Sequence, residues 1–526
     1  MHNKKILFFN ALILIISLIW LLNPAFSEIS GTQDFSITSY HVEGNTDNSF
    51  YPRSDIDYLY EGTIDFKNLL DDREIFGSIQ YRATDDRLVD SQDASLEKFF
   101  IGMKKEAFEI LAGDFYANFS EYSLGNALKG SKLFLGEKEG NYLTVVGGID
   151  TARWEDFWET RCENTATRKY VWGFQLGNNI LLKKKLDIRL NYGGSFDDAA
   201  YLSSSSAQEL VNVASVDGSY KINNILTTDF ETGESFTEED KRKDEVKTKS
   251  DGAYKVGCDL NLKDYSLAAD YSRIGPHFKT TGGFAASDLE TMALDGIWFL
   301  PKNVKFAHYI RRDKNNLGKQ LSMTTEQVNP GFKFSFGLPA NIDADAGFDL
   351  RKRDSSDESV NTATYDYIWG LARDWKVCYS RLGYTRSLIF NHTDSTQERN
   401  IDTYSLSLDG SFAVKQVKFS WDLSEDLSQE EYKDVCESDL TLAHGIGLSA
   451  DFPSTLSMSA RATLNDNDYY LNNTDNNTTN YIFSISRDKG ENLSFEASYE
   501  RKGYSYADGD NNYAETLLKS AVSYRF

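Results

Sequence analysis

Apolar and polar residues alternate with a period of two along nearly the whole chain after residue 33. In KQVKFSWDLSED (415–426), Val417, Phe419, Trp421 and Leu423 fall in one register; Lys418, Ser420, Asp422 and Ser424 fall in the other. ENLSFEASYER (491–501) sets Leu493, Phe495, Ala497 and Tyr499 against Ser494, Glu496, Ser498 and Glu500. NIDADAGFDLR (341–351) sets Ile342, Ala344, Ala346, Phe348 and Leu350 against Asp343, Asp345, Asp349 and Arg351. Successive side chains of a strand point to opposite faces, so each stretch predicts a strand with one apolar and one charged face. Many run about ten residues, the length of a tilted strand that crosses a bilayer.

The connections alternate as well. Short turns fall near Asp71, Lys105, Lys138, Lys184, Asn223, Lys263, Lys302, Pro339, Asp374, Val414, Pro453 and Lys489. Longer polar segments lie between them, at 43–54, 83–97, 116–130, 151–168, 196–209, 237–250 and 274–288. They continue at 312–320, 353–360, 388–400, 426–438, 465–478 and 503–514. Twelve turns and thirteen loops predict 26 strands with both termini on the short-turn side. A soluble propeller has repeats of similar length but needs four short strands in each, where this pattern has two long ones. The expected fold is all-β: one closed antiparallel transmembrane β-barrel of about 26 strands (range about 22–28) with no plug domain. Closure follows from the solvent, because in lipid every backbone N–H and C=O must find its partner within the sheet.

Composition adds an address. Lys4 and Lys5 precede an apolar run, Ile6–Leu22, and Ala25-Phe26-Ser27 offers small residues where a signal peptidase reads. Residues 1–27 are expected to be a cleaved signal peptide and 28–526 a single barrel domain, delivered to the cell outer membrane. Without the signal the chain carries 80 acidic and 54 basic residues, a formal charge of −26. That excludes a nucleic-acid partner, which needs a basic footprint. Tyr 30, Phe 33 and Trp 8 against only 7 Pro suit strands. Cys162, Cys258, Cys378 and Cys436 are widely spaced and form no metal or haem-attachment motif; free thiols or one loop disulfide are the readings they allow.

The last residues, LLKSAVSYRF (517–526), resemble the C-terminal β-signal of Gram-negative outer-membrane barrels. Lys519, Ala521, Tyr524 and Phe526 fill its polar, small and two apolar or aromatic places, with Ala521 where Gly is usual. The chain therefore resembles a porin-like outer-membrane β-barrel, which implies the barrel assembly machinery, outer-membrane lipid and lipopolysaccharide as partners. GDFYANFSEYSLGNALKG (113–130) is similar to a Gly-Asp … Lys/Arg-Gly segment of several large barrels, chaperone–usher pores among them. YSRIGPHFKTTGGF (271–284) resembles a Tyr-x-Arg-Ile/Val-x-Pro-x-aromatic element of other outer-membrane proteins. The likeness to ushers stops there, because the chain is not expected to hold their separate N-terminal, plug and C-terminal domains.

Chemistry is sparse. His41, His277, His308, His392 and His444 have no HxxxH or HxH neighbour, and neither a GxSxG elbow nor a P-loop occurs. His308 shares the apolar register of Val304, Phe306 and Ile310, which suits an interface or a pocket better than a catalytic pair. Neither enzyme activity nor a cofactor is expected. The Asx-rich stretches 465–480 and 508–512 lack calcium-loop spacing and read as solvated loop tips. Pro276, Gly275 and Gly282-Gly283 give the 274–288 loop its turns, and that turn chemistry favours a cap on the strand over an inward fold. Function is expected in the lumen, where Asp343, Asp345, Asp349, Asp422, Glu496 and Glu500 face inward once the apolar register faces lipid. The expected activity is diffusion of small solutes, with a preference for cations. The alternative is a barrel scaffold or conduit for a secreted polymer, a lipoprotein or a cytochrome, that is, a periplasmic or secreted partner.

Overall fold

A computed structural model describes residues 28–526, apart from 50–54, 71, 91, 152, 155–167, 200–201, 203–205, 244, 284, 435–436, 470–475 and 508. Residues 1–27, where a signal peptide is expected, and Cys162 and Cys436 lie outside the described residues, while Cys258 and Cys378 are free thiols.

All 26 strands belong to one antiparallel sheet, each paired with its sequence neighbours. The wall begins with β1 (Glu28–Gly44), β2 (Asp55–Leu70), β3 (Arg73–Thr84) and β4 (Ala94–Lys105). Six strands of 10–12 residues follow: β5 (Phe108–Asn118), β6 (Gly125–Gly136), β7 (Asn141–Asp150), β8 (Lys169–Ile180), β9 (Leu186–Asp197) and β10 (Leu210–Lys221). Then come β11 (Leu226–Glu239), β12 (Lys247–Asn261), β13 (Tyr265–Ile274), β14 (Leu289–Leu300) and β15 (Val304–Asn315). The last eleven begin with β16 (Thr325–Leu338), β17 (Ile342–Ser355), β18 (Asn361–Asp374), β19 (Cys378–Asn391) and β20 (Arg399–Val414). They end with β21 (Val417–Tyr432), β22 (Glu437–Asp451), β23 (Leu456–Asp468), β24 (Asn476–Lys489), β25 (Leu493–Tyr506) and β26 (Tyr513–Arg525). The turns and loops read from the sequence fall between successive strands, though several expected loops run into strand ends: residues 125–130, expected in a loop, belong to β6. The sheet closes where β26 pairs with β1, from Arg525 opposite Thr32 to Tyr513 opposite Gly44. Reciprocal backbone bonds between Gly31 and Phe526, 3.0 and 3.1 Å, finish the seam.

The apolar register faces outward. On β8, Tyr170, Trp172, Phe174 and Leu176 are exposed, while Val171, Gly173 and Gln175 point in. His308 belongs to the outer face, with its ring stacked near Phe306 at 5.3 Å and Tyr265 at 6.3 Å. It sits in an aromatic surface and has no catalytic partner beside it. Twenty-six tilted strands about 4.8 Å apart enclose a ring roughly 50 Å across if circular.

Candidate functional site

One hairpin leaves the wall. The last rung between β4 and β5 is Phe100 opposite Gly113, and the last between β6 and β7 is Lys129 opposite Ile149. Beyond them β5 and β6 pair only with each other, from Asp114–Lys129 to Asn118–Gly125. Two glycines set the pivot. Gly113 has φ +116°, and a Cβ there would lie 2.1 Å from the Phe99 carbonyl oxygen. A Cβ on Gly130 would lie 2.1 Å from the Gly147 carbonyl oxygen. No other residue tolerates so close a backbone approach.

The hairpin swings inward like a door and rests against the adjacent wall. Ala117, Phe119, Leu124 and Leu128 pack on Val146 of β7 and Val171 of β8, both inward-facing. Polar contacts then fix its tip. The Tyr122 N–H donates to Glu231 on β11 at 2.8 Å, Gln175 Nε2 donates to the Phe119 carbonyl at 3.0 Å, and Lys255 pairs with Glu121 at 2.9 Å. Ser120 Oγ lies 3.0 Å from Ser215 Oγ on β10.

The β13–β14 loop joins from the other side and corrects the reading of that loop as a strand cap. Pro276 does end β13, but the chain then runs onto the inner wall. Phe278, 1% exposed, packs with Tyr122 edge to face at 5.7 Å and rests on Val211, Val213, Ala253 and Ile274. Thr281 donates twice to the Ser123 carbonyl, from N at 3.1 Å and from Oγ1 at 2.6 Å. Lys279 reaches Glu209 at 2.6 Å, and the His277 N–H donates to Asp251 at 2.8 Å. The two stretches singled out for their resemblances, 113–130 and 271–284, are thus the two that meet inside the barrel.

The doorway left in the wall is two strands, about 10 Å, wide. Described residues of the next loop stand beside it. Trp154, 6% exposed, donates from Nε1 to Asp114 at 2.6 Å, and the Phe99 N–H donates to the same carboxylate at 2.7 Å. Lys129 pairs with Asp114 at 2.9 Å, and Arg153 pairs with buried Asp90 at 2.7 Å. A carboxylate thereby takes over a ladder bond that β5 no longer supplies.

The lumen carboxylates expected from the sequence lie on the other side. By register, Asp343, Asp345 and Asp349 on β17, Asp422 on β21, and Glu496 and Glu500 on β25 all share the inward face. They are spread along the wall and do not converge. Asp345 pairs with Lys333 at 3.3 Å, Asp422 with Arg461 at 3.2 Å, and Glu500 with Lys502 at 3.1 Å. Asp343 and Glu496 are exposed and make no ion pair among the described residues. At the seam, Lys519 and Ala521 face in while Tyr524 faces out, its ring near that of Phe526 at 6.1 Å.

Outside the spanning strands, the β11–β12 loop carries one strongly shifted group. Arg242, the backbone N–H of Gln208 and Lys243 hold the Asp240 carboxyl at about 2, below the ordinary carboxylate range.

Neither a protein-family model nor a curated protein matches the chain. Solved barrels do. The siderophore receptor PirA from Pseudomonas aeruginosa aligns over 95% of this chain and 80% of its own, at 9% identity and a TM-score of 0.41. The P pilus usher PapC translocation pore aligns over 94% and 99%, at 11% and 0.31. An anion-selective porin from Comamonas acidovorans aligns over 73% and 100%, at 10% and 0.27. Likenesses this distant carry no inference about what the chain does.

Proposed function

We propose that the protein is an outer-membrane channel of porin type, through which small solutes diffuse along a lumen narrowed on one side by the 114–128 hairpin and the β13–β14 loop. The observation that carries this reading is a closed wall, apolar outside and charged inside, on which the inward hairpin and the β13–β14 loop pack against one sector. No chemical step is involved; size and field select the solute. Asp343 and Glu496, exposed and without ion pairs, support a modest preference for cations that weakens with salt. Signal cleavage after residue 27, recognition of Lys519, Ala521, Tyr524 and Phe526 by the assembly machinery, and contact with lipopolysaccharide belong to the same proposal.

Planar-bilayer recording tests it. Discrete current steps and a reversal potential of cationic sign in a salt gradient are expected. A folded barrel without steps overturns the channel, and an anionic sign overturns the selectivity. The β16–β24 wall has no described loop folded over it, which leaves room for a secreted or periplasmic partner and favours the conduit as second reading. A stoichiometric partner in pull-downs from native membranes decides for it.

A further inference from the structure

The docked hairpin roofs a cavity of about 310 Å³ on its short-turn side, at the small end of ligand pockets. Its flanks are aromatic: Tyr116 and Phe119 come from the hairpin, Phe134 and Tyr142 from the wall. The wall pair stacks, with centroids 5.7 Å apart and planes at 28°.

Polar groups with spare capacity stand between the rings. Gln175 commits Nε2 to the Phe119 carbonyl at 3.0 Å and to Asn191 at 2.8 Å, which leaves Oε1 without a donor among the described residues. Thr144, only 7% exposed, makes no side-chain hydrogen bond to them. Side chains buried this far ordinarily find partners. Here both open onto one cavity, with Tyr116 and Asn118 also unbonded at its edge.

The donor set selects a ligand class. Lys132 is neutralised by Glu109 at 3.2 Å, and the one other cation of the lining, Lys138, stands at the rim without an ion pair among the described residues, so the interior itself offers an anion no free counter-charge. A wholly apolar guest would leave Thr144 and Gln175 stranded. A sugar ring satisfies both demands, with its C–H faces against the aromatic rings and its hydroxyls on the hydroxyl and amide groups.

We propose that this cavity is a subsite for a single sugar ring, complete only while the hairpin is docked. It rests on the channel reading solely for the route by which solute arrives. Saturation-transfer NMR on the detergent-solubilised barrel, with methyl glucoside as probe and benzoate as charged comparator, measures binding without conduction. A saturable methyl glucoside signal is expected, about tenfold weaker in Tyr116→Ala from the lost ring contact. Thr144→Val, which removes no internal hydrogen bond, should weaken it severalfold, and Tyr379→Ala on the distant wall should not change it. Heat-modifiable mobility confirms each variant's fold, and Thr144→Val decides should Tyr116→Ala misfold. No saturable signal, binding of benzoate instead, or equal binding by wild type and Thr144→Val overturns the subsite. Conduction without binding sinks the subsite alone, and binding without conduction sinks the channel alone.

Discussion

Two sectors of one wall use the same ladder and differ in what rests on it. Across β5–β14 the inner face carries a packed layer; across β16–β24 it is bare among the described residues. Every buried apolar side chain larger than alanine lies before residue 279. Among the described residues beyond that point only Ala344 and Ala363 are buried apolar residues. The bare sector instead has longer strands, 13–16 residues, and inward ion pairs such as Lys333–Asp345 and Arg461–Asp422. A closed barrel satisfies its backbone without a core. A core forms only where a segment folds onto the lumen face, and there the inward register turns apolar or small.

Substitutions in the two sectors should therefore separate widely. Gly113→Val forces a β-branched residue into positive φ against the Phe99 carbonyl and should block assembly, seen as loss of heat-modifiable mobility. Gly337→Val, where a Cβ meets nothing within 4 Å, should assemble normally and checks that contrast. Next in size is Lys129→Met. Its ion-pair partner Asp114 lies under Trp154, and the stranded carboxylate should cost about 3–5 kcal/mol in urea unfolding. Lys333→Met, in an exposed pair, should cost under about 1 kcal/mol. Phe278→Ala should loosen the docked hairpin by about 3 kcal/mol, read as faster proteolysis between residues 119 and 124 while the barrel stays folded.

The strands and turns were legible because alternation repeats over 26 strands, and turn residues over the connections between them, under one rule. Direction was harder to read. Pro276 and Gly282 turn a chain equally well outward or inward, so the β13–β14 loop looked like a cap. The informative signal sat in the neighbouring wall, where Val211 and Val213 occupy a register otherwise filled by Ser215, Asp217 and Ser219. Apolar residues on a lumen face imply that something covers them. Likewise Gly113 and Gly130 bracket the detached hairpin, yet only the rungs that stop there show them to be pivots. By register the expected lumen carboxylates share one face, but a single sequence does not say that Asp345, Asp422 and Glu500 are already paired.

The smallest effect concerns pH. Asp240 is held down by Arg242, so its contribution is complete above the unfolded carboxylate range near 4 and is lost as pH falls toward 2. Hydrogen exchange in the β11–β12 loop should rise over that window, and Asp240→Asn should abolish the step without affecting the bare sector.

The central claim is that the docked hairpin, with the β13–β14 loop resting on it, narrows the lumen. Joining Asp114 to Lys129 through an Asn-Gly turn removes residues 115–128 while keeping the wall rungs on either side. Single-channel conductance should then rise roughly twofold or more, because the obstruction to ion flow is gone. The same trimming of the β21–β22 loop, residues 433–436, should leave the steps unchanged. Equal conductance of the two trimmed barrels would contradict the account.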